Sequence, residues 1–476
     1  MQVAAWVEQA IGPSTFGDRR RRQRWAEVVT RLAADPAASV TDACQGAWAV
    51  ILGTYRLWAN DHLSVAELVA SVGQATAQRA GGDAVVVVVH DTTAIRVRAD
   101  QRCAAVGPLN NPEIRGIWLH SSLAVTPSGR PLGLLDQQLW SRPRDAPPSR
   151  PQRYQTPIEG KESAKWLRGL QATNDRLAAH QQAIHIADRE ADLFECYQLL
   201  AALGDDFVLR AAQERRVDDA DALLSQAATQ APLLGTLEVL VQRADDRPAR
   251  TATVQVQAGP VTLQPPGYAS HAAARRRWWA AHPEVTPLVA LPLEPQPLGV
   301  VEVTEPEPPA DVTPLHWRLL TSLPVASLAE AEHVITLYRR RWLVERFHYV
   351  LKSGCRIERL QLEQVERWAR AIVSYSVVAW HVLWLTYLGR NDPEAPGTQV
   401  ISPAAWHALV VGVAQGDAAH VPRVADVLRA VAKLGGYIGR RRDGPPGLKV
   451  VWRGWTKLET LLLGWEAAHH DLDRSV

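Results

Sequence analysis

The sequence lacks the cysteine spacing of a disulfide framework or a zinc site. Its four cysteines, Cys44, Cys103, Cys196 and Cys355, lie far apart, and none belongs to a C-x-x-C pair. Disulfide-stabilised secreted domains and zinc modules place their cysteines close together in recurring patterns. Both classes are therefore excluded, and the cysteine usage indicates a reducing compartment.

A large excess of positive charge is also missing. The chain has 52 Lys and Arg against 50 Asp and Glu, a formal net charge of +2, so the bulk charge does not indicate a nucleic-acid partner. A local cluster does, because five arginines occupy the six positions from Arg19 to Arg24, where a helical pattern opens. Such a cluster suits phosphate groups. The alternative is a solvated run of repelling charges.

Membrane-directed segments are scarce as well. The first residues lack the basic-then-apolar layout of a signal peptide, so we expect none. The stretch from Ala371 to Leu388 is apolar enough to imitate a membrane span, but it contains Ser374, Ser376 and His381. We expect a buried core helix there and no membrane partner.

The length of 476 residues, with 47% apolar and 21% charged residues, predicts a globular chain of two to four domains. Hydrophobic periodicity and turn residues predict the boundaries. We expect a helical N-terminal region, an α/β core in two parts, a β-rich insertion held by stiff Pro-rich linkers, and a helical C-terminal region. The N-terminal region covers 1–75, and the core covers 76–212 and 315–388. The insertion covers 213–314, and the C-terminal region covers 389–476.

Two aspartates follow apolar strands in the α/β core. The run from Ala84 to His90 ends on Asp91, and the run from Ala183 to Ala187 ends on Asp188. Both runs are apolar on both faces, which is typical of strands covered on both sides of a sheet. The predicted strands are 84–90, 118–125, 131–140, 183–187 and 207–210, with a helix over 162–180. This order is that of an RNase H-like core, in which the first and fourth strands are neighbours, so we expect Asp91 and Asp188 to lie side by side.

The stretch from Tyr338 to Lys352 predicts a single amphipathic helix. At about 100° per residue, Tyr338, Arg341, Glu345 and Lys352 fall on one face, and five apolar residues fall on the other. A solvated face would not need an aromatic hydroxyl, a guanidinium, a carboxylate and an ammonium in one row. The alternative is a surface helix with incidental charge pairs.

Three carboxylates held together, from Asp91, Asp188 and Glu345, would repel one another. Either their pKa values rise or divalent cations neutralise them. Oxygen ligands favour two Mg²⁺ ions, or Mn²⁺, over zinc, and two such ions about 3.5–4 Å apart serve in-line phosphoryl displacement. Asp91 is then the bridging ligand. For Asp188 the alternative is a helix N-cap.

The Asp188–Asp192 segment and the pattern Tyr-x-x-Arg-x-x-x-Glu-x-x-x-x-x-x-Lys from Tyr338 to Lys352 resemble the DDE transposases of bacterial insertion sequences. Within that group the chain is most similar to insertion-sequence family four, and the resemblance covers nearly the whole chain. Further matching segments occur in the same order: Gly17-Asp18, Asp91-Thr92-Thr93, Gly133-Leu134-Leu135, Lys161–Trp166, Phe207–Arg210, Leu319–Ser322 and Leu434-Gly435-Gly436.

The resemblance implies a fold and a reaction. The fold is α/β, with an RNase H-like, retroviral-integrase-like catalytic core interrupted by the β-rich insertion. Asp91, Asp188 and Glu345 would be the catalytic residues and hold two Mg²⁺ ions, for which Mn²⁺ can substitute. The reaction implied is cut-and-paste transposition: each transposon end is nicked, the freed 3′-hydroxyl forms a hairpin, and the excised ends are joined to target DNA.

The resemblance also implies DNA contacts. Tyr338, Arg341 and Lys352 would grip the phosphates of the cut strand. Trp317 would stack on a base flipped out when the hairpin forms, which compensates lost stacking by roughly 1–3 kcal/mol; the alternative for Trp317 is core packing. The remaining predicted contacts with DNA are Arg210, Lys165, Arg20, Arg21 and Arg24, the last three reading the terminal sequence.

Partners and location follow from the same resemblance. Region 1–75 would bind the transposon ends, region 389–476 would dimerise, and the protein would act on DNA in the bacterial cytoplasm, at the nucleoid. The insertion departs from the family, since Arg275–Trp279 and the Pro/Glu-rich run before Val312 have no counterpart. Two other functions stay open: a decayed or domesticated transposase that regulates by binding without cleavage, and a simple RNase H-like nuclease.

Overall fold

A computed structural model describes most of the chain. The described residues are 3, 5–14, 16–98, 103, 106–143, 156–218, 222–241, 249–267, 272–411, 421–440 and 443–473. They form two compact units, which we call the helical unit (Met1–Gly82, Thr92–Arg144 and Leu343–Val476) and the sheet unit (Asp83–Asp91 and Asp145–Trp342).

Helices occur at both ends of the chain and between the strands. In chain order they are α1 (Ala5–Ala10), α2 (Arg19–Ala34), α3 (Val40–Ala43), α4 (Trp48–Trp58), α5 (Val65–Ala80), α6 (Ala164–Asn174), α7 (Phe194–Leu203), α8 (Leu224–Gln230), α9 (Ala272–Ala281), α10 (Leu328–Arg339), α11 (Trp342–Tyr349), α12 (Val365–Asn391), α13 (Pro403–Leu409), α14 (Val424–Leu434) and α15 (Leu448–Asp473).

The strands lie between α5 and α10. In chain order they are β1 (Val85–Arg96), β2 (Gly116–Val125), β3 (Pro131–Trp140), β4 (Gln182–Ala187), β5 (Asp206–Arg210), β6 (Arg216–Val217), β7 (Ala222–Leu223), β8 (Leu233–Val241), β9 (Arg250–Leu263), β10 (Gln296–Thr304) and β11 (His316–Thr321). The chain passes from the sheet unit to the helical unit within β1.

The helical unit begins with the five helices α1 to α5. Helix α2 starts after Asp18, whose side chain accepts a hydrogen bond from the Arg20 backbone N–H. Helix α5 starts after Ser64, which forms a capping box with Glu67. These caps satisfy backbone donors that a helix leaves free at its first turn. Helix α5 then packs on β3, where Thr76 Oγ1 donates to the Leu134 carbonyl at 3.0 Å.

Helix α12 is the core of the helical unit. It is long and apolar enough to cross a membrane by length and composition, but 89% of its most apolar window is buried inside the protein. Its Ser374 Oγ accepts hydrogen bonds from the indole N–H groups of Trp25 and Trp58, and Ser376 Oγ accepts one from Gln137. Protein donors thus satisfy these two serine hydroxyls, as expected for polar groups on a buried core helix.

The sheet unit is built on a mixed sheet. Its strands follow the order β1-β4-β5-β11-β10-β9-β6-β7, and β8 pairs with β9. Strands β1, β4 and β5 are parallel neighbours, whereas β11 and the strands beyond it pair antiparallel. The predicted adjacency of the first and fourth strands is therefore observed. The apolar core of this unit lies between the sheet and α6 and α7.

The region 213–314 extends the sheet. We expected an insertion tethered by stiff linkers, but β10 pairs with β11 over six residue pairs and with β9 over nine. The run that follows β10 is also fixed, because Glu305 forms an ion pair with Arg250 and accepts from the Leu315 N–H. The strands of this region therefore continue the same hydrogen-bonded sheet, and α9 lies between β9 and β10 in the sequence.

Three predicted elements differ from the structure. Strand β1 does not end at Asp91 but runs on to Arg96. The helix predicted over 162–180 covers only Ala164–Asn174. The single helix predicted from Tyr338 to Lys352 is broken: Arg340 and Arg341 form a turn with i→i−3 bonds to Leu337 and Tyr338, and residues Val350–Gly354 form a π-helical turn. Local periodicity did not reveal the tight turn or the wider π-helical turn.

Candidate active site

Asp91 and Asp188 lie at the same level on two adjacent parallel strands. The register pairs Val89 of β1 with Ile186 of β4, and each aspartate stands two residues beyond its member of that pair. Strand β4 ends at Ala187, so Asp188 begins the loop while Asp91 is still within β1. The predicted meeting of these two residues is therefore present in the sheet unit.

The electrostatic setting of Asp188 reflects this proximity. Burial is the largest cause that raises the pKa of Asp188, and the charge of Asp91 raises it further. The Glu190 backbone N–H, which donates to Asp188 Oδ1 at 2.9 Å, and the Arg341 guanidinium oppose the shift. Asp188 also caps the short 3₁₀ helix Arg189–Ala191. The two roles considered for Asp188 are therefore compatible.

A cluster of aromatic and basic residues adjoins these aspartates in the sheet unit. Tyr338 is buried, which raises the pKa of its phenol, while Arg341 and Arg210 oppose that shift. The Trp317 ring meets the Tyr338 ring edge-on, with centroids 5.2 Å apart, and the Arg341 guanidinium carbon is 5.9 Å from the centre of the Tyr338 ring. Four predicted site residues thus form one group.

Arg210 links this cluster to β11. Its Nη2 donates to the His316 carbonyl at 2.8 Å, and it hydrogen-bonds to Tyr338. Burial lowers the pKa of Arg210, although a guanidinium stays charged at physiological pH. The structure therefore holds a positive charge beside Tyr338.

Lys165 is placed differently from the other predicted contacts. It is buried, and its Nζ forms an ion pair with Glu190 Oε2 at 3.3 Å. The Glu190 side chain is 61% exposed. Glu190 is not among the predicted site residues, although it stands only two residues after Asp188 in the sequence.

Glu345 and Lys352 belong to the helical unit. Glu345 is half-buried in α11. The Lys352 Nζ donates to Thr93 Oγ1 at 3.1 Å and to the Ala94 carbonyl at 3.2 Å. Lys352 therefore joins the π-helical turn to the second half of β1. Within the described ranges, no three side chains of the His, Cys, Asp or Glu type form a ready metal cluster.

The three predicted arginines lie in the first turns of α2 but in different surroundings. Arg20 is exposed. Arg21 donates to the Phe16 carbonyl at 2.7 Å, so it also stabilises the loop before the helix. Arg24 is exposed and pairs with Glu27 at 3.2 Å. Arg20 and Arg24 are therefore the more accessible of the three.

Asp192 has a structural role that was not predicted from the sequence. Its fully buried carboxylate accepts hydrogen bonds from Tyr197 Oη and from the backbone N–H groups of Ala212 and Gln213, and it pairs with Arg215 at 2.5 Å. These bonds fix the loop that follows β5. The one available signal was a further aspartate shortly after Asp188.

Three segments of the chain match known families. Residues 3–63 match the transposase DNA-binding family, residues 161–379 match the transposase DDE domain, and residues 377–471 match the transposase Tn5 dimerisation domain. The DDE match and the paired aspartates on a mixed sheet define the class: a DDE enzyme of the transposase type with an RNase H-like fold.

The particular family follows from all three matches taken together. The chain is a Tn5-like DDE transposase, a DNA-binding and dimerising protein. This confirms the family resemblance read from the Tyr338–Lys352 pattern.

Proposed function

We propose that this transposase works by cut-and-paste: it binds the ends of its insertion sequence, excises the element through a hairpin intermediate and joins it to target DNA. The observation that carries the proposal is the shared level of Asp91 and Asp188 beside Arg341. Two carboxylates next to a guanidinium suit phosphoryl transfer, because the carboxylates can hold cations and the guanidinium can bind the phosphate.

Asp91, Asp188 and Glu345 would hold two Mg²⁺ ions, and Mn²⁺ would substitute. Their donor chemistry fits, because carboxylate oxygens are the ligands that these cations prefer. The repulsion by which Asp91 raises the pKa of Asp188 is what bound cations would relieve. When bound, two such ions supply activation of the attacking oxygen and stabilisation of the leaving oxygen. Arg341, which favours the ionised form of Asp188, would keep that carboxylate ready as a ligand.

The other site residues would handle the DNA strand. Arg341 and Tyr338 would bind the phosphate of the cut strand, with Arg210 adding charge beside Tyr338. Trp317 would stack on the flipped base. Its ring meets the Tyr338 ring edge-on, which places it beside the phosphate-binding residues. Lys352 would act from the helical unit, where its contacts with β1 orient it. Lys165 would reach DNA on leaving Glu190.

The N-terminal helices would read the terminal sequence through Arg20, Arg21 and Arg24, with Arg20 and Arg24 the most accessible. The dimer would form through region 389–476, and each active site would cut the end bound by the partner. Region 1–75 would be the DNA-binding region, and 76–212 with 315–388 the catalytic core around the 213–314 insertion. The protein would work in the bacterial cytoplasm at the nucleoid.

The test is Mg²⁺-dependent cleavage of a short duplex that carries the element's own terminus. We expect nicks, then a hairpin, and no product when Mg²⁺ is chelated. Glu345→Gln should abolish cleavage and spare DNA binding, whereas Glu363→Gln, which changes an exposed carboxylate, should leave both cleavage and DNA binding unchanged. If Glu345→Gln retained cleavage, the assignment of Glu345 as a catalytic residue would be wrong. Binding without nicks by the unaltered protein would instead favour the regulator without cleavage.

A further inference from the structure

A basic cavity of about 600 Å³ opens on the helical unit. It is lined by residues from the loop before α3, from the end of α11 and the segment that follows it, from the residue after α14, and from α15. Four of its lining side chains are cationic, and among the described residues that line it none is acidic. The cationic residues are Arg356, Lys449, Arg453 and Lys457.

Three of these cations form a regular row. Lys449, Arg453 and Lys457 follow one another at intervals of four residues along α15, so they share one face of the helix and stand about 6 Å apart. All three are exposed. Lys449 lies in the first turn of α15, where the helix dipole adds positive potential. The row therefore offers repeated positive charge along a line.

Other groups at the cavity complete its chemistry. Ser353 and Thr456 supply hydroxyls. The Tyr349 ring is 43% exposed and lies 5.9 Å from the Trp452 ring, which is buried and fixes it from one side. The charge of Arg356 acts on the half-buried Asp35, where it opposes the rise in pKa that burial causes.

We propose that this cavity binds the sugar–phosphate backbone of DNA without reading its sequence. A row of cations that tracks a backbone, next to an exposed aromatic ring, is the pattern of sequence-independent nucleic-acid grooves. A cavity of this volume accommodates a short length of one strand and not a whole duplex. The described residues that line the cavity belong to the helical unit and include none of the predicted arginines of α2. The cavity therefore provides a further anchoring point for DNA.

The test compares binding of two labelled duplexes, one of unrelated sequence and one carrying the element's terminus, by fluorescence anisotropy of the full chain without Mg²⁺. Under these conditions the result does not depend on cleavage. For Lys449→Ala/Arg453→Ala we expect the Kd for both duplexes to rise by on the order of tenfold, and the slope of log Kd against log salt to fall by about 2. Lys449→Arg/Arg453→Lys should retain binding.

The matched control is Arg429→Ala/Lys433→Ala, which removes two exposed cations at the same spacing on α14 and should leave both quantities unchanged. An unchanged Kd and slope for Lys449→Ala/Arg453→Ala would overturn the proposal. So would a loss confined to the terminus duplex, because the surface would then read sequence. A loss of dimer in sedimentation with unaltered DNA affinity would show a protein interface instead. Equal thermal stability of the variants confirms that they fold.

Discussion

Asp91 and Asp188 meet because β1 and β4 pair in parallel with Val89 opposite Ile186, and the charge of Asp91 raises the pKa of Asp188. Two acids far apart in sequence are thus set together by strand register alone. The arrangement works against folding, since a desolvated carboxylate beside another carboxylate is less stable when ionised. A site of this kind trades stability for function.

The first prediction follows from that cost. Because the pKa of Asp188 is raised in the folded state, the folded protein binds the Asp188 proton more tightly than the unfolded chain does. Protonation of Asp188 therefore stabilises the fold. This stabilisation is complete below about pH 3.9 and is lost as the pH rises through the raised pKa. Above it, ionised Asp188 destabilises the fold. Asp188→Asn should therefore raise the Tm at neutral pH in the presence of a chelator, and abolish cleavage. Asparagine caps a helix as well as aspartate does.

The pH dependence of the Tm difference shows whether the ionisation of Asp188 causes it. The Tm difference between Asp188→Asn and the unaltered protein should close as the pH falls below about 3.9, because residue 188 is then neutral in both proteins, folded and unfolded. Glu284→Gln, an exposed carboxylate of the same unit, should change Tm little at either pH. A lower Tm for Asp188→Asn at neutral pH would contradict the raised pKa.

The part of the site that depends on strand order could be predicted from the sequence. The apolar runs before Asp91 and Asp188 indicated covered strands, and the order of elements indicated that the two strands are neighbours. The broken helix could not be predicted, because the turn at Arg340 and Arg341 leaves the hydrophobic spacing on both sides intact. The ion pair of Lys165 with Glu190 was equally hidden, since it joins two elements through the tertiary fold.

The extent of the sheet was underestimated for a related reason. Alternating residues in region 213–314 indicated strands, but nothing in the local pattern says which strand each will pair with. The pairing of β10 with β11 is a long-range contact, and prolines near it read as linkers. Register between distant strands depends on side-chain packing that a single sequence does not display.

The second prediction concerns Asp192, which stands near Asp188 in sequence but has a different role. Asp192→Ala removes the partner of the buried Arg215 side chain and leaves two backbone N–H groups of the loop after β5 without their acceptor. Loss of one partner of a buried ion pair costs about 3–5 kcal/mol. We expect a loss of this size in the free energy of unfolding, measured by denaturant titration.

A double variant separates charge from packing. Asp192→Ala/Arg215→Leu should recover part of the lost stability, because no unpaired charge is then buried. Asp188→Ala should cost far less than Asp192→Ala. Equal losses for the two aspartates would contradict the division into a site residue and a structural residue.

The third prediction tests how the N-terminal helices are held on α12. Ser374→Ala would leave the indole N–H groups of Trp25 and Trp58 without their acceptor inside the core. Each such group costs about 1–3 kcal/mol, so the free energy of unfolding should fall clearly. Ser376→Ala is the control: Gln137 can still donate to Ser121, so we expect a smaller loss. Equal Tm values for the two variants would show that the indoles find other acceptors.

The last prediction concerns Trp317 and the hairpin step. If the indole stacks on the flipped base, Trp317→Ala should slow hairpin formation, by an amount that corresponds to the roughly 1–3 kcal/mol of one base–aromatic stack, and leave the first nick nearly unchanged. Trp317→Phe should preserve much of the hairpin rate, because a phenyl ring still stacks on a base and meets Tyr338 edge-on. Gel analysis of a single turnover separates the two steps. An equal loss of nicking in Trp317→Ala would instead assign Trp317 to the packing of Tyr338, since a displaced Tyr338 would disturb Arg210 and Arg341 together.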